Sequence, residues 1–213
     1  SISYLYTTPE TFEYPVDTRE KQLLRECRGL IFDSQGKVIS RGFHKFFNYK
    51  QNEETQPENL PPLNEFQIEL KYDGSMVRPI FERTHSEANK LYLITKNGFT
   101  EDLRLRLNKD LDSYDIDIYD TFYNLCMGLY CGYKTGIFEW ITPNHSIVIK
   151  YPKAIFNFLD GRDNKTGDYL VRSNSHLNTH LWQDTIVSNF KGNSWENLYK
   201  YTENLEGIEG FVC

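Results

Sequence analysis

The sequence is poor in cysteine and lacks the spacings by which cysteine binds zinc. Only four cysteines occur in 213 residues, and none of them forms a CxxC pair or a cysteine–histidine cluster with zinc spacing. A chain of this length can bury a core without disulfides, so we expect free thiols in a reducing compartment. These features predict a protein without a zinc site.

Long apolar runs and an excess of positive charge are also missing. No segment is long and apolar enough to span a membrane, and no signal peptide opens the sequence. We therefore expect a cytoplasmic protein without a membrane partner, in the host cell cytoplasm if the source is viral. The net charge of −6 argues against avid non-specific binding to nucleic acid, but a local basic cluster could still bind phosphates.

Strand-like segments dominate the sequence, with helical segments inserted between them. The helical pattern occurs at 100–109, 116–130, 177–187 and 194–204, the last with Ser194 as its N-cap. A hairpin loop is predicted at 160–168. The strand pattern occurs at 27–33, 37–40, 66–71, 76–82, 90–95, 135–141, 146–150, 153–159, 169–172 and 208–213. Because the strands follow one another as hairpins, we predict an α+β domain with twisted antiparallel sheets rather than a parallel sheet.

One lysine lies where an apolar strand ends in a tight turn. Residues 69–75 read Glu-Leu-Lys-Tyr-Asp-Gly-Ser, which places Lys71 two positions before an Asp-Gly pair. Burial and nearby cations could lower the pKa of the Lys71 amine and make it a nucleophile. An ordinary surface hairpin is the alternative interpretation, since Asp-Gly is a common turn signal.

Other segments also place charged residues against hydrophobic strands. Charges in such positions are usually paired or bound to a ligand. Cations at Arg28 and Lys45 could join Lys71 around a triphosphate. Two carboxylates could hold a divalent metal ion. The segments are ECRGLIF with Arg28, RGFHKFFN with Lys45, IFEW with Glu139, 153–160, and EGIEGFV with Glu209.

The order and spacing of these segments resemble the nucleotidyltransferase domain of the RNA ligase 1 family, the phage T4 type of RNA repair ligase. The resemblance runs from about Arg25 to Cys213. Among nucleotidyl transferases, ECRG followed by KFFN before the KxDG lysine is specific to that family. The resemblance implies a covalent-ligase fold and identifies residues 1–213 as an adenylyltransferase domain.

The resemblance also implies roles for particular residues. Lys71 would form a covalent bond to AMP, and Arg28 and Lys45 would contact the ATP phosphates. Glu139 would touch ribose or metal, and Glu209 would be a metal-site carboxylate for Mg²⁺ or Mn²⁺. In the same way Leu159 and Val212 would pack around adenine, Phe158 could stack on it, Glu69 would accept a hydrogen bond from it, and Lys96 would be a further basic contact. The full set implied to bind ATP or AMP is Arg28, Lys45, Glu69, Leu70, Asp73, Gly74, Lys96, Phe158, Leu159 and Val212.

The activity implied by the resemblance is ATP-dependent ligation of RNA. AMP would pass from Lys71 to the 5′-phosphate of a broken RNA, such as a nicked tRNA, and a 3′-hydroxyl would then seal the break. The family has a KxK strand after its fourth motif and none occurs before Cys213, so adenylylation should be impaired if that strand is missing. Two alternatives remain open: a ligation-deficient nucleotide- or RNA-binding module of the same fold, and a GTP-dependent capping guanylyltransferase.

Overall fold

The computed structural model describes residues 1–4, 6–12, 17–82, 90–113, 115–143, 149–170 and 190–213. Its helices are α1 (Thr18–Glu26), α2 (Glu101–Asp112), α3 (Ile116–Cys131) and α4 (Trp195–Glu203). Its strands are β1 (Ile2–Ser3), β2 (Arg28–Phe32), β3 (Val38–Ser40), β4 (Glu69–Lys71), β5 (Ser75–Glu82), β6 (Lys90–Ile94), β7 (Lys134–Ile141), β8 (Ile155–Asp163) and β9 (Gly210–Val212).

The strands form three antiparallel groups in the described ranges. β1, β2 and β3 form a three-stranded sheet, β4 and β9 form a two-stranded ribbon, and the third sheet has the order β6-β5-β7-β8. The predicted mixture of helices with antiparallel sheets is thereby confirmed. Within the described residues no helix has the length and apolar character needed to cross a bilayer.

Some predicted elements cannot be compared with the structure. The helix at 177–187 lies outside the described residues, as does most of the strand at 146–150. Of the strand at 169–172, only the first two residues are described, and Tyr169 makes an isolated bridge to Arg162.

The predicted loop at 160–168 is wrong in its first half, because β8 continues to Asp163. Gly161 pairs with Gly136 inside the sheet, and a Cβ at Gly161 would lie 2.3 Å from Cδ1 of Leu170. This glycine therefore permits close packing within a strand, rather than a turn.

The main core lies between the four-stranded sheet and helices α2 and α3. Thr100 caps α2 by accepting the backbone N–H of Leu103. Alternate residues of the strands face the helices, as the period of two in a strand requires. The core residues are Val77, Phe81, Leu93, Leu103, Leu107, Leu111, Phe122, Leu125, Cys126, Leu129, Phe138, Trp140, Phe156 and Phe158.

The opposite face of the same sheet carries polar and charged side chains. Because Val77, Phe138 and Phe156 face the helices, their neighbours Arg78, Glu139 and Asn157 face the other way. Strand β3 contacts β5 and β7. A Cβ at Gly42, just after β3, would lie 3.3 Å from the Met76 side chain and 3.5 Å from Arg78. The face turned away from α2 and α3 therefore meets the chain that carries the predicted basic residues.

Candidate active site

Lys71 is held in the ribbon formed by β4 and β9. It pairs with Gly210, while Leu70 pairs with Phe211 and Glu69 with Val212. This register places Glu209, the residue before β9, beside the lysine that ends β4. Two of the segments that the sequence analysis selected, 138 positions apart, thus meet at one point.

Helix α4 packs against the segment before β4 and against β9. Ser194 caps the helix, as predicted, by accepting the N–H of Asn197. The Trp195 ring packs edge-on against Phe66 before β4, and the Tyr201 ring stacks on Phe211 of β9 with centroids 6.1 Å apart. The helix therefore contacts the chain on either side of the Lys71–Glu209 pair.

Carboxylates are the partners of the Lys71 amine. Its Nζ donates to Oε1 of Glu209 in an ion pair whose side chains are 43% and 26% exposed. Glu139 on β7 lies within electrostatic reach of the same amine. Burial raises the pKa of Glu139 to about 8, against the lowering effect of Lys71, and the charge of Asp73 raises it further. The predicted nucleophile and both predicted metal-binding carboxylates therefore lie together.

The turn after Lys71 is fixed by contacts with the protein itself. Oδ2 of the buried Asp73 accepts the backbone N–H of Ile149 at 2.7 Å. Gly74 donates its N–H to the Glu139 carboxylate, and a Cβ at Gly74 would lie 2.5 Å from the carbonyl oxygen of Trp140. We predicted nucleotide contacts for Asp73 and Gly74. The structure gives both residues a role in holding the turn at the site.

Asp73→Ala is expected to reduce the free energy of unfolding by about 1–3 kcal/mol, because it leaves the Ile149 N–H without this acceptor. Urea denaturation measures the change. The matched control is Asp168→Ala, at an exposed position, which should change stability by about 0.5 kcal/mol or less. Equal losses in the two variants would contradict this role of Asp73.

The predicted cations form a second cluster. Burial lowers the pKa of Lys45, and so do the charges of Arg28 and Lys96. Burial and Arg28 likewise lower the pKa of Lys96. In the described part of the chain no carboxylate forms an ion pair with any of the three. Converging cations that are not ion-paired with a described carboxylate favour the binding of an anion.

Aromatic rings support this cluster, and sequence patterns did not predict them as part of it. The Lys45 amine lies 4.8 Å from the Phe47 ring centroid, and the Lys96 amine lies 4.7 Å from that of Tyr4. The Arg28 guanidinium lies 5.7 Å from the centroid of Phe46 and donates to the carbonyl of His44. Cation–π contacts of this kind stabilise positive charge without neutralising it. The KFFN sequence was the available signal for Phe46 and Phe47, and Tyr4 had none.

The residues predicted to surround adenine are only partly brought together. Glu69 and Val212 are half-buried cross-strand partners in the ribbon, beside the half-buried Leu70. Leu159 occupies a bulge of β8, where the register against β7 shifts. Phe158 is 3% exposed and packs in the core against Phe138. The Phe158 ring therefore offers no open face for a base, contrary to the stacking role that we considered.

Two buried polar residues in the same region were not predicted. Asn157 pairs with Glu139 across β7 and β8 and is 1% exposed, yet neither of its amide atoms has a hydrogen-bond partner. Arg78 on β5 is completely buried. A polar residue within an apolar strand, as in the sequence FNFL around Asn157, is the signal that could have found both.

The carboxylate arrangement suits a magnesium ion that is shared with a substrate. No group of three or more metal-binding side chains occurs among the described residues. Magnesium usually binds proteins through one or two carboxylates and takes its remaining ligands from substrate phosphates and water. Glu139 and Glu209, both next to Lys71, fit that pattern.

The comparisons with known proteins agree with one another, because each finds similarity to RNA ligases. The family model described as RNA ligase matches residues 26–213. The chain is 45% identical over 232 residues to "RNA ligase 1" of Bacteriophage TS2126, an alignment that covers 99% of the chain and 51% of the relative. It is 31% identical over 213 residues to "Putative RNA ligase" of Thermovibrio ammonificans, covering 100% of the chain and 51% of the relative. The chain thus spans about half the length of these curated relatives.

Proposed function

Because the chain belongs to the RNA ligase family, whose model matches it from residue 26 to residue 213, we propose that it is the adenylyltransferase part of an ATP-dependent RNA ligase. In this proposal the chain has the nucleotidyltransferase fold of covalent ligases, and Lys71 carries AMP on its side chain. The main support is the meeting of Lys71 with Glu209 and Glu139 at the end of β4. In an ordinary surface hairpin, we would not expect two carboxylates from distant segments of the chain to lie beside the lysine.

The first step forms a bond between Nζ of Lys71 and the α-phosphorus of ATP. The bond from that phosphorus to pyrophosphate breaks, and the proton that the amine loses passes to water. Because the amine is ion-paired with Glu209, it must leave that carboxylate before its lone pair can attack. A Mg²⁺ or Mn²⁺ ion held by Glu139 and Glu209 would supply positive charge for the phosphate oxygens. That ion would be a second partner for Glu209 when the lysine moves away.

The cation cluster suits the pyrophosphate end of ATP. Arg28, Lys45 and Lys96 present three positive charges with no carboxylate paired to them in the described ranges. A fixed set of cations stabilises the charge that develops on a leaving pyrophosphate, usually a large contribution to catalysis. Adenine would lie near the ribbon residues Glu69 and Val212, with Leu159 beside it.

RNA is the proposed acceptor of the adenylyl group. A 5′-phosphate oxygen would attack the lysyl-AMP, which releases Lys71 and leaves an activated RNA end. A 3′-hydroxyl would then attack that end, form the phosphodiester bond and release AMP. A broken tRNA is one RNA with such ends. Since the chain spans about half of its relatives, sealing is proposed for the whole protein and adenylylation for this part.

Incubation with α-labelled ATP and Mg²⁺ tests the proposal. The full-length protein is expected to acquire a covalent label that Lys71→Ala removes completely. Lys165→Ala, which removes an exposed lysine from a turn, should keep the label. Labelling by GTP and not by ATP would favour a capping guanylyltransferase. A full-length protein that binds ATP but acquires no label would instead be a nucleotide-binding module, and the ligase proposal would be wrong.

A further inference from the structure

Arg78 is the largest fully buried side chain in the described part of the protein, and it is an arginine without an acidic partner. It lies on β5, where it pairs with Ile94 of β6. Its Nη2 donates to the carbonyl of Gly29 at 2.7 Å and to that of Thr95 at 3.4 Å. Its Nε and Nη1 have no hydrogen-bond partner, and no described carboxylate is ion-paired with it.

Both carbonyls that Arg78 binds belong to neighbours of the cation cluster. Gly29 follows Arg28 in the sequence, and Thr95 precedes Lys96. The guanidinium therefore joins the backbone of β2 to the backbone at the end of β6. In doing so it fixes the spacing between Arg28, on β2, and Lys96, which lies two residues beyond the end of β6.

The close packing around Gly29 supports this connection. Gly29 has a φ of +79°, and a Cβ there would lie 2.9 Å from Nη2 of Arg78 and 2.7 Å from the carbonyl oxygen of Lys96. Gly42, three residues before Lys45, also lies next to the guanidinium, since a Cβ there would be in ordinary van der Waals contact with Nη1 at 3.5 Å. All three segments that carry the clustered cations thus pack around one guanidinium.

The charge of Arg78 is also part of the cluster. Burial and the charge of Arg28 lower the pKa of Arg78 to about 10, so the side chain stays positive at neutral pH. A buried charge without a partner is unfavourable and strengthens any interaction that supplies the opposite charge. An anion bound at Arg28, Lys45 and Lys96 would supply it.

We propose that Arg78 is a positioning residue of a polyphosphate site, which sets the spacing of Arg28 and Lys96 through their neighbouring carbonyls and adds a buried positive charge beneath them. This inference rests on the proposed function in taking the triphosphate tail of ATP as the natural anion. It extends that function because Arg78 touches neither Lys71 nor the carboxylates beside it in the described contacts. We therefore expect Arg78 to affect binding of the phosphate chain of a ligand and not binding of its base.

Calorimetric binding of inorganic tripolyphosphate and of AMP to the whole chain tests this role. Arg78→Met is expected to weaken tripolyphosphate binding by about tenfold or more and to change AMP binding by about twofold or less. Arg78→Lys keeps the charge and loses the two-carbonyl contact, so its affinity should fall between those of the wild type and Arg78→Met. The Lys variant also provides the measurement if Arg78→Met does not fold.

Arg106→Met is the matched control for loss of one positive charge, because Arg106 is exposed on α2 and paired with Asp102. It should leave both affinities unchanged. Equal losses for AMP and tripolyphosphate in the Arg78 variants, or no loss for either, would overturn the inference. A full-length protein that binds tripolyphosphate through Arg78 but is never labelled by ATP would overturn only the ligase proposal. If ATP labels the chain but the Arg78 variants bind tripolyphosphate as tightly as the wild type does, only this inference is overturned.

Discussion

Gly74→Ala is expected to reduce lysine adenylylation by about 100-fold, because a displacement near 1 Å at a reacting group costs about that much. The new Cβ would lie 2.5 Å from the Trp140 carbonyl oxygen and 3.1 Å from Cγ of Glu139. Both neighbours belong to a central strand of the four-stranded sheet, so the turn must move instead. That movement displaces Lys71, three residues earlier, from Glu139 and Glu209. The rate of label incorporation from α-labelled ATP measures the loss.

Gly128→Ala is the matched control for Gly74→Ala. Gly128 lies in α3, and a Cβ there would meet no atom within 4 Å. Alanine is the better helix former by about 1 kcal/mol, so this variant should be as stable as the wild type or slightly more stable. Its labelling rate should not change. A Gly74→Ala protein that labels as fast as Gly128→Ala would show that the turn does not position the lysine.

Phe138→Ala is expected to cause the largest loss of stability, about 3–5 kcal/mol, because it removes a fully buried ring from the centre of the core. The ring contacts Phe122 of α3 at 5.1 Å and Phe158 of β8 at 5.2 Å between centroids. For a domain of this size the loss corresponds to a fall of roughly 10 °C in Tm. Thermal and urea denaturation both measure it. Adenylylation should also fall, since Phe138 precedes Glu139 on β7.

An exposed leucine gives the control for Phe138→Ala. Leu105 lies on α2 with 58% of its surface exposed, so Leu105→Ala should cost less than about 1 kcal/mol. Comparable losses at the two positions would mean that the aromatic cluster does not hold the sheet against α2 and α3.

Local signals in the sequence predicted elements well where one cause dominates. The N-cap at Ser194 and the broad apolar face of α3 each follow from the residues themselves. Thr100 was predicted as the first residue of a helix, and it is the N-cap of α2. Helix α1 was not predicted because it buries none of its residues and so shows no apolar stripe. Its stability comes from contacts such as the ion pair of Glu26 with Arg162, which only the folded chain brings together.

The site was predictable as a set of residues but not as an arrangement. Sequence order pointed to Lys71, Glu139 and Glu209, and the structure places them together. Sequence order could not show that β8 has a bulge at Leu159. The one extra residue of a bulge changes which of the neighbouring side chains lie on each face of the sheet. The burial of Arg78 was signalled only by a polar residue within an apolar strand, and an arginine in a strand is normally interpreted as an edge or surface residue.

The pairing of β4 with β9 has a consequence for the order in which the protein folds. The two strands are separated by more than half of the chain, so their contact closes a large loop at a high entropic cost. The four-stranded sheet and its helices form from segments that lie closer together. We therefore expect the contact between Lys71 and Glu209 to form late in folding, after the core has formed. The short ribbon should also show faster amide exchange than β5 and β7, and nucleotide should slow that exchange.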